Sequence, residues 1–562
     1  MQHLFVLNPL FWKYRGRLVA GIIFVIAANW FRIRQPQLVR DAMDLVVAEL
    51  KNPSLEKAKL AAALTQFGVL VLLCALTMGV FMYFMRQTII VVSRYIEYDQ
   101  RDQIFSHFTT LDTAFFKKSK VGDLMSRAVE DVNKVRMYVG PAVMYIVNTL
   151  ATFVMVIAAM LNVSWQLTLV SLVPLPILSF CIYWVSRLVN ERSTAIAQQL
   201  STLTSNAQET FSGIRVIKSY TQNEPIAHAF ETQAHLFREK SLDLVRINAI
   251  FMPLVAFLIG LSTVIVVYVG GILVMEQRIS TGNIAEFIIY IGMLTWPVTS
   301  VGWVASLIQT ANASQKRINE FLDIKSEILD SKNPITTPIQ GDIEFRNVSF
   351  TYADTGIQAL KNVSFTLKKG QKLAITGRTG TGKTTVAELL NRMYEPTEGT
   401  ILIDGQPIQN YTKTALRQAI GYVPQDVFLF SDTVQNNILF GLDFDKKNTD
   451  FDENKQNEIA TDAAQKAAIH TEILGLQDGY NTIVGERGVM LSGGQKQRIS
   501  MARAIVKRPA IMLFDDALSA VDNATEDKIL AYFDNELHDQ TLIVITHRTH
   551  YLDRFDAVVT LE

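Results

Sequence analysis

Hydrophobic and polar positions divide this chain into two halves of different texture. Between residues 1 and 320 the apolar positions gather into long runs without a charge: Leu18–Phe31, Leu60–Met85, Met137–Ser186, Asn248–Met275 and Phe287–Gln315. A membrane-crossing helix needs about 20 apolar residues, whereas a helix of a soluble domain averages about 11–12, so runs of this kind predict spans. The first run is the weakest and continues with polar interruptions to about Pro36. The third is long enough for two helices, with NVSWQ (Asn162–Gln166) as the turn between them. The pattern predicts six spans, and no charge is evident inside them.

The polar stretches alternate in length. Arg86–Arg136 and Arg187–Arg246 are long, charged and helical in period, while the turns after the third and fifth spans are short. Lys13, Arg15 and Arg17 place the N-terminus on the cytoplasmic side, and the long segments fall on that side with it. Each contains a break suited to a short transverse helix: FFKKSKVGDLMSR (Phe115–Arg127) and FSGIRVIKSYTQNEP (Phe211–Pro225).

Beyond residue 340 the texture is that of an α/β domain, with short apolar strands, glycine turns and amphipathic stretches. The join, DIKSEILDSKNPITTPIQGD, is polar and carries Pro334 and Pro338. The expected organisation is a membrane domain over 1–322, a linker over 323–340 and a second domain over 341–562.

Composition agrees with this division. Apolar residues make up 49% of the 562-residue chain and charged residues 19%, which places part of it in lipid. The formal net charge of zero leaves no electrostatic case for nucleic acid. Cys74 and Cys181 lie in apolar runs and read as small buried hydrophobes rather than redox or metal groups. Arg32 and Arg34 follow the first apolar stretch and no A-x-A site is present, so no cleavable signal peptide is expected.

The chemistry lies in the second half. GRTGTGKTT (Gly377, Arg378, Thr379, Gly380, Thr381, Gly382, Lys383, Thr384, Thr385) follows the strand-like QKLAIT and precedes the helical VAELLNRMY. Glycines there let backbone N–H groups approach phosphate oxygens, and the helix N-terminus adds positive field. Lys383 is expected to reach the β- and γ-phosphates and the Thr384 hydroxyl to bind Mg²⁺. AIMLFDD (Ala510–Asp516) is an apolar strand ending in acid, placing Asp515 as a second Mg²⁺ ligand. LSGGQKQR (Leu491–Arg498) opens another helix with glycines, a second phosphate-binding N-terminus in one domain. A head-to-tail pair of domains accommodates both, with each ATP between one chain's P-loop and the other's LSGGQ.

These motifs, in this order after six spans, resemble the ATP-binding cassette transporters, specifically the exporter half-transporters of the type I exporter fold. DDALSAVD is similar to the corresponding run of MdlA-type multidrug exporter subunits. The resemblance implies an α-helical transmembrane domain fused to an α/β P-loop ATPase, with ATP and Mg²⁺ as cofactors. It implies that Tyr352 stacks on adenine, that Gln425 senses Mg²⁺ and the attacking water, and that His547 contacts the γ-phosphate. Ser492, Gly493, Gly494 and Gln495 would face the partner's nucleotide, and Asp522 would lie at the dimer interface. TIVGERG (Thr482–Gly488) corresponds to a segment that touches the cytoplasmic helices, with Ile483 where an acid is common. The two transverse segments become coupling helices, the second docking on the partner's cassette. The resemblance also implies a further strand and a helical tail beyond VVTLE, where this sequence stops.

Asp516 stands where the family usually has the glutamate that polarises the attacking water. Three readings follow: a slow site in a heterodimer whose partner supplies a glutamate, a homodimer in which the aspartate works, or two slow sites that use ATP as a switch. The heterodimer is preferred. The expected partners are a second half-transporter, membrane lipids and an amphipathic drug or lipid as substrate, in a bacterial inner membrane. The alternative is a regulatory or lipid-flipping ATPase of the same fold.

Overall fold

The computed structural model describes residues 2–51, 56–442, 453–485, 488 and 491–562. The chain divides into two units, Met1–Thr109 with Gly122–Ile324, and Thr110–Val121 with Lys325–Glu562.

Six helices long and apolar enough to cross a membrane make up the first unit: α1 (Arg15–Lys51), α2 (Lys57–Thr110), α3 (Val121–Val163), α4 (Trp165–Ser212), α5 (Asn223–Met275) and α6 (Thr281–Leu322). Each apolar run is part of a longer helix, the third being divided between α3 and α4, because the charged stretches beside the runs keep the helical period. The expected turn falls at Ser164, whose side chain caps α4 by accepting from the Leu167 N–H. Ser280 and Asn283 close α6 with a reciprocal capping box. Several hydroxyls of α2 are satisfied locally: Thr65, Thr77 and Thr88 donate to the carbonyls of Ala61, Leu73 and Phe84. That removes a polar group from lipid without a tertiary partner.

Polar side chains join the helices to one another. Asn29 on α1 donates to Asn148 on α3 at 3.0 Å, and Thr152 donates back to Asn29 at 2.8 Å. Asp131, in a π-helical turn of α3, accepts from Ser314 at 2.8 Å and from the Arg317 Nε at 2.9 Å, both on α6. A wholly buried carboxylate escapes the sequence reading. α6 begins before its apolar run, and Glu286, just outside that run, has no solvent exposure. It is held by Arg40 at 3.3 Å, the Asn283 amide at 3.1 Å and the Tyr290 hydroxyl at 2.9 Å. The bundle therefore contains an ionisable group at its core, tolerated because α1 supplies the counter-charge.

In the second unit β1 (Ile343–Thr351), β2 (Gln358–Leu367), β4 (Glu398–Ile403) and the two-residue β5 (Gln406–Pro407) form an antiparallel sheet ordered β2-β1-β4-β5. β3 (Lys372–Gly377), β6 (Ile420–Val423), β7 (Ile511–Asp515), β8 (Thr541–Ile545) and β9 (Ala557–Leu561) form a parallel sheet ordered β6-β7-β8-β3-β9. β7 and β8 are buried throughout, as the continuous apolar runs IMLF and LIVI require of a parallel sheet covered on both faces. Helices α7 (Lys383–Leu390), α8 (Gly493–Ile505) and α9 (Asn523–Glu536) follow the functional loops.

The polar stretch 325–340 is fastened to this unit. Arg392 donates to the Leu329 carbonyl at 2.7 Å, Lys413 to the Ile328 carbonyl at 2.9 Å, and Ile335 pairs with Tyr411. The short helix Thr113–Lys118, N-capped by Asp112, also belongs to this unit.

Candidate nucleotide-binding site

β3 ends at Gly377 and the chain turns through Arg378–Gly382 into α7. Gly380 and Gly382 adopt φ of +86° and +84°, backbone that side chains with a Cβ rarely take. A Cβ on Gly382 would lie 2.1 Å from the Ala359 carbonyl oxygen, whereas one on Gly380 would meet nothing. Packing therefore demands glycine at 382, and the backbone angle alone favours it at 380. Lys383 Nζ donates to the carbonyls of Gly377 at 2.8 Å and Arg378 at 2.7 Å, and the Thr381 hydroxyl donates to Arg378 at 2.9 Å. Gly377, Arg378 and Thr381 thus shape the loop. Thr379, Gly380, Gly382, Lys383, Thr384 and Thr385 line a cavity of about 460 Å³.

The sheet order brings the other predicted residues to the same cavity. β8 lies beside β3, with β7 and then β6 next across the sheet, and these parallel strands end on one edge, where ligands of open α/β sheets bind. Asp515, Asp516, His547 and Gln425 all line the cavity from those strand ends. Asp516 has φ +50° and its N–H donates to the Ile545 carbonyl at 2.9 Å. His547 Nδ1 lies 3.0 Å from one Asp516 carboxylate oxygen, and the Gln425 amide donates to the other at 3.4 Å. Asp515 is 1% exposed and its Oδ2 has no hydrogen-bond partner. Burial pushes its carboxyl up to about 6; the Thr384 hydroxyl opposes this, and the Asp516 and Glu388 charges add to it. A buried carboxylate oxygen left unpaired beside a threonine hydroxyl is a ligand set that a hard cation satisfies.

Tyr352 lines the cavity with its ring edge-on to Phe350 and Tyr394, at 4.8 and 5.5 Å. Its hydroxyl donates to Glu388 at 2.8 Å and lies 3.0 Å from the Thr385 hydroxyl. Burial pushes the phenol up to about 12, with the Thr385 hydroxyl acting against it and Glu388 reinforcing it. Lys117, absent from the sequence-based set, joins this group. Its ammonium is 2.9 Å from Glu388 and sits 5.4 and 5.0 Å from the ring centroids of Tyr352 and Tyr394. Burial works against that charge, and the hydrogen bonds to Glu388 and Tyr394 outweigh it, so its pKa is raised. The basic pair in FFKKSK marked the segment; which lysine meets α7 is decided by the turn that Asp112 caps.

The LSGGQ residues lie elsewhere. Ser492 caps α8 by accepting from the Gln495 N–H at 3.3 Å, and Gln495 accepts from the Ser492 N–H at 2.9 Å. None of Ser492, Gly493, Gly494 and Gln495 lines the P-loop cavity. The helix is nonetheless braced against the Asp516 loop, since Gln497 donates to the Asp516 carbonyl at 3.4 Å and accepts from the Ala520 N–H at 3.3 Å. Asp522 caps α9 through the Thr525 N–H. Ile483 is exposed, while Glu486 and Arg487 of TIVGERG lie outside the described residues.

A family model described as the ABC transporter transmembrane region matches residues 18–298, and one described as ABC transporter matches residues 360–519. The chain is an ABC transporter. It is 34% identical over 567 residues to the probable multidrug resistance ABC transporter ATP-binding/permease protein YheI of Bacillus subtilis (strain 168), covering 99% of this chain and 93% of that one. It is 32% identical to the multidrug resistance-like ATP-binding protein MdlA of Escherichia coli (strain K12), over 87% of this chain and 81% of that one. The ATP-dependent lipid A-core flippase of Syntrophus aciditrophicus (strain SB) is 31% identical, with 93% and 86% covered. A solved structure of a bacterial Atm1-family ABC exporter with ATP bound superimposes with a TM-score of 0.79 at 25% identity, over 98% of this chain and 94% of that one. The transporter is an integral multi-pass membrane protein that couples ATP hydrolysis to transport. It carries one membrane region and one cassette, the half-transporter architecture that implies dimerisation.

Proposed function

We propose that the transporter exports amphipathic small molecules, drugs or lipids, across a bacterial inner membrane as half of a heterodimer, with its N-terminus and cassette cytoplasmic. The observation that carries the paired arrangement is the separation of Ser492–Gln495 from the P-loop cavity of the same cassette. Each N-terminal glycine turn offers a phosphate site, and a head-to-tail dimer brings one of each to every ATP. The exposed Phe211, Val216 and Tyr220 of the second transverse segment support a partner cassette as its docking surface. Names borne by relatives, multidrug resistance proteins and a lipid A-core flippase, support an amphipathic cargo.

Roles in the site follow from position. Lys383 and the loop N–H groups hold the β- and γ-phosphates, and Tyr352 takes the adenine. Thr384, Gln425 and Asp515 would hold Mg²⁺, which neutralises charge on the phosphates when bound. Asp516 and His547 orient the attacking water and the γ-phosphate. Alternating access then requires that ATP bind the closed cassette pair more tightly than the open one.

Asp516 sets the rate. Its carboxylate is one methylene shorter than a glutamate's, and a misplacement of about 1 Å costs roughly 10²-fold. Purified in lipid without another chain, the transporter is expected to turn over Mg-ATP slowly, and Asp516→Glu to raise turnover by about 10–100-fold. Brisk turnover by the unmodified chain, little changed by the substitution, refutes the slow-site heterodimer and establishes a homodimer whose aspartate works.

A further inference from the structure

Within the membrane unit a cavity of about 240 Å³ lies among α1, α2, α3 and α6. Its walls combine two kinds of group. Met78, Met82, Met85 and Met144 supply soft, adaptable apolar surface, with Tyr145 and Trp296 beside them. Arg32 and Arg86 supply two fixed positive charges, and Asn29 and Asn148 the hydrogen-bonded pair described above.

Both arginines fall inside span-bearing helices, each one residue beyond its uncharged run, Arg86 at the position where the sequence pattern begins the first cytoplasmic segment. From Leu18 to Arg32 the helix rises about 21 Å, within a hydrocarbon thickness of about 30 Å. Arg86 lies two residues after Phe84, which packs on Phe24 of α1 at 5.5 Å, and Phe31 packs on Phe81 at 5.8 Å. The two helices thus run antiparallel through the same depth. Two buried carboxylates of the bundle do have arginine partners: Arg40 pairs with Glu286 and Arg317 with Asp131. Among the described residues neither Arg32 nor Arg86 has a carboxylate partner, and the cavity they line contains none. Unpaired guanidinium groups at this depth are costly and mark a pathway or ligand site, and a guanidinium fork matches a carboxylate, sulfonate or phosphate.

We propose that this cavity is a binding site for an amphipathic anion, with Arg32 and Arg86 holding its acidic head and the methionine wall its apolar body. The proposal rests on the export reading above and narrows its cargo. The same chemistry serves a soluble amphipath or an anionic bilayer lipid.

The test uses the full-length transporter in phosphatidylcholine nanodiscs with 11-(dansylamino)undecanoate as the anionic probe and the matching primary amine as the cationic one. Equilibrium binding by dansyl fluorescence is expected to favour the anion at least ten-fold. Arg32→Gln with Arg86→Gln should remove that preference while leaving the amine's affinity unchanged or tighter, and the double lysine variant should restore part of it. Displacement of the probe by phosphatidylglycerol identifies a lipid as the anion, and failure to displace it identifies a soluble amphipath; both uphold the site. Equal binding of the two probes, or anion binding untouched by the glutamine pair, overturns it and leaves export standing. Export itself fails separately, if sealed vesicles with Mg-ATP move neither probe, and the binding comparison, which needs no turnover, still decides the site.

Discussion

Two glycines in the P-loop separate backbone strain from steric exclusion. Gly380→Ala should cost only the left-handed penalty, about 1–2 kcal/mol, and weaken ATP binding by less than about ten-fold. Gly382→Ala adds a 2.1 Å contact with a backbone carbonyl, so the strand–helix turn must move and ATP binding should be lost. Equilibrium binding of a fluorescent nucleotide, with a thermal melt of each variant, checks the pair; equal effects would refute the distinction. The glycines were legible in GRTGTGKTT, but their unequal roles were not, because Ala359 lies on a different strand. The same holds for Asp516. Its type was readable, whereas its contacts with His547 and Gln425 depend on strand order.

At the scale of elements, α8 begins with a capping box whose residues are also the proposed contact to the partner's ATP. Ser492→Ala should cost about 1 kcal/mol of stability through the lost cap. It should leave ATP binding to the chain's own P-loop unchanged, since Ser492 lies outside that cavity, while lowering turnover of the assembled dimer by about ten-fold or more. Loss of ATP binding by the unassembled chain would place LSGGQ at its own site and contradict the head-to-tail arrangement. α1 and α6 offer a second test. Glu286 is wholly buried and paired with Arg40, which is itself mostly covered. Arg40 also pairs with Asp41 at 2.8 Å, so Glu286 is the group that depends on the pair. Leaving one member of a buried pair without its partner typically costs about 3–5 kcal/mol, so Arg40→Met should sharply lower the melting temperature in detergent. Restoration by Glu286→Gln in the same chain would identify the uncompensated carboxylate as the cause. The helices themselves were readable from uncharged runs, but this charge stood one residue outside its run, and only the packing of α1 against α6 internalised it.

Across the whole molecule, the half-transporter architecture implies an assembly larger than one chain, and the two decisive experiments use the full-length protein: Mg-ATP hydrolysis with Asp516→Glu, and probe selectivity with the arginine pair. The sequence by itself determined what rests on local pattern. Uncharged runs of span length set the six helices, because lipid tolerates no unsatisfied backbone. Contiguous apolar strands and glycine turns set the cassette and its motifs, because a P-loop is built from neighbours in the chain. Tertiary structure decided whatever depends on distant residues meeting. It brought Asp515, Asp516, Gln425 and His547 to one strand edge, left LSGGQ outside that cavity, set Lys117 over Tyr352, and gathered Arg32 and Arg86 on one cavity with no carboxylate among its described lining residues. The physical reason is that backbone conformation follows from nearest neighbours and their periodicity, whereas electrostatic pairing depends on which helix or strand stands opposite, and packing alone fixes that.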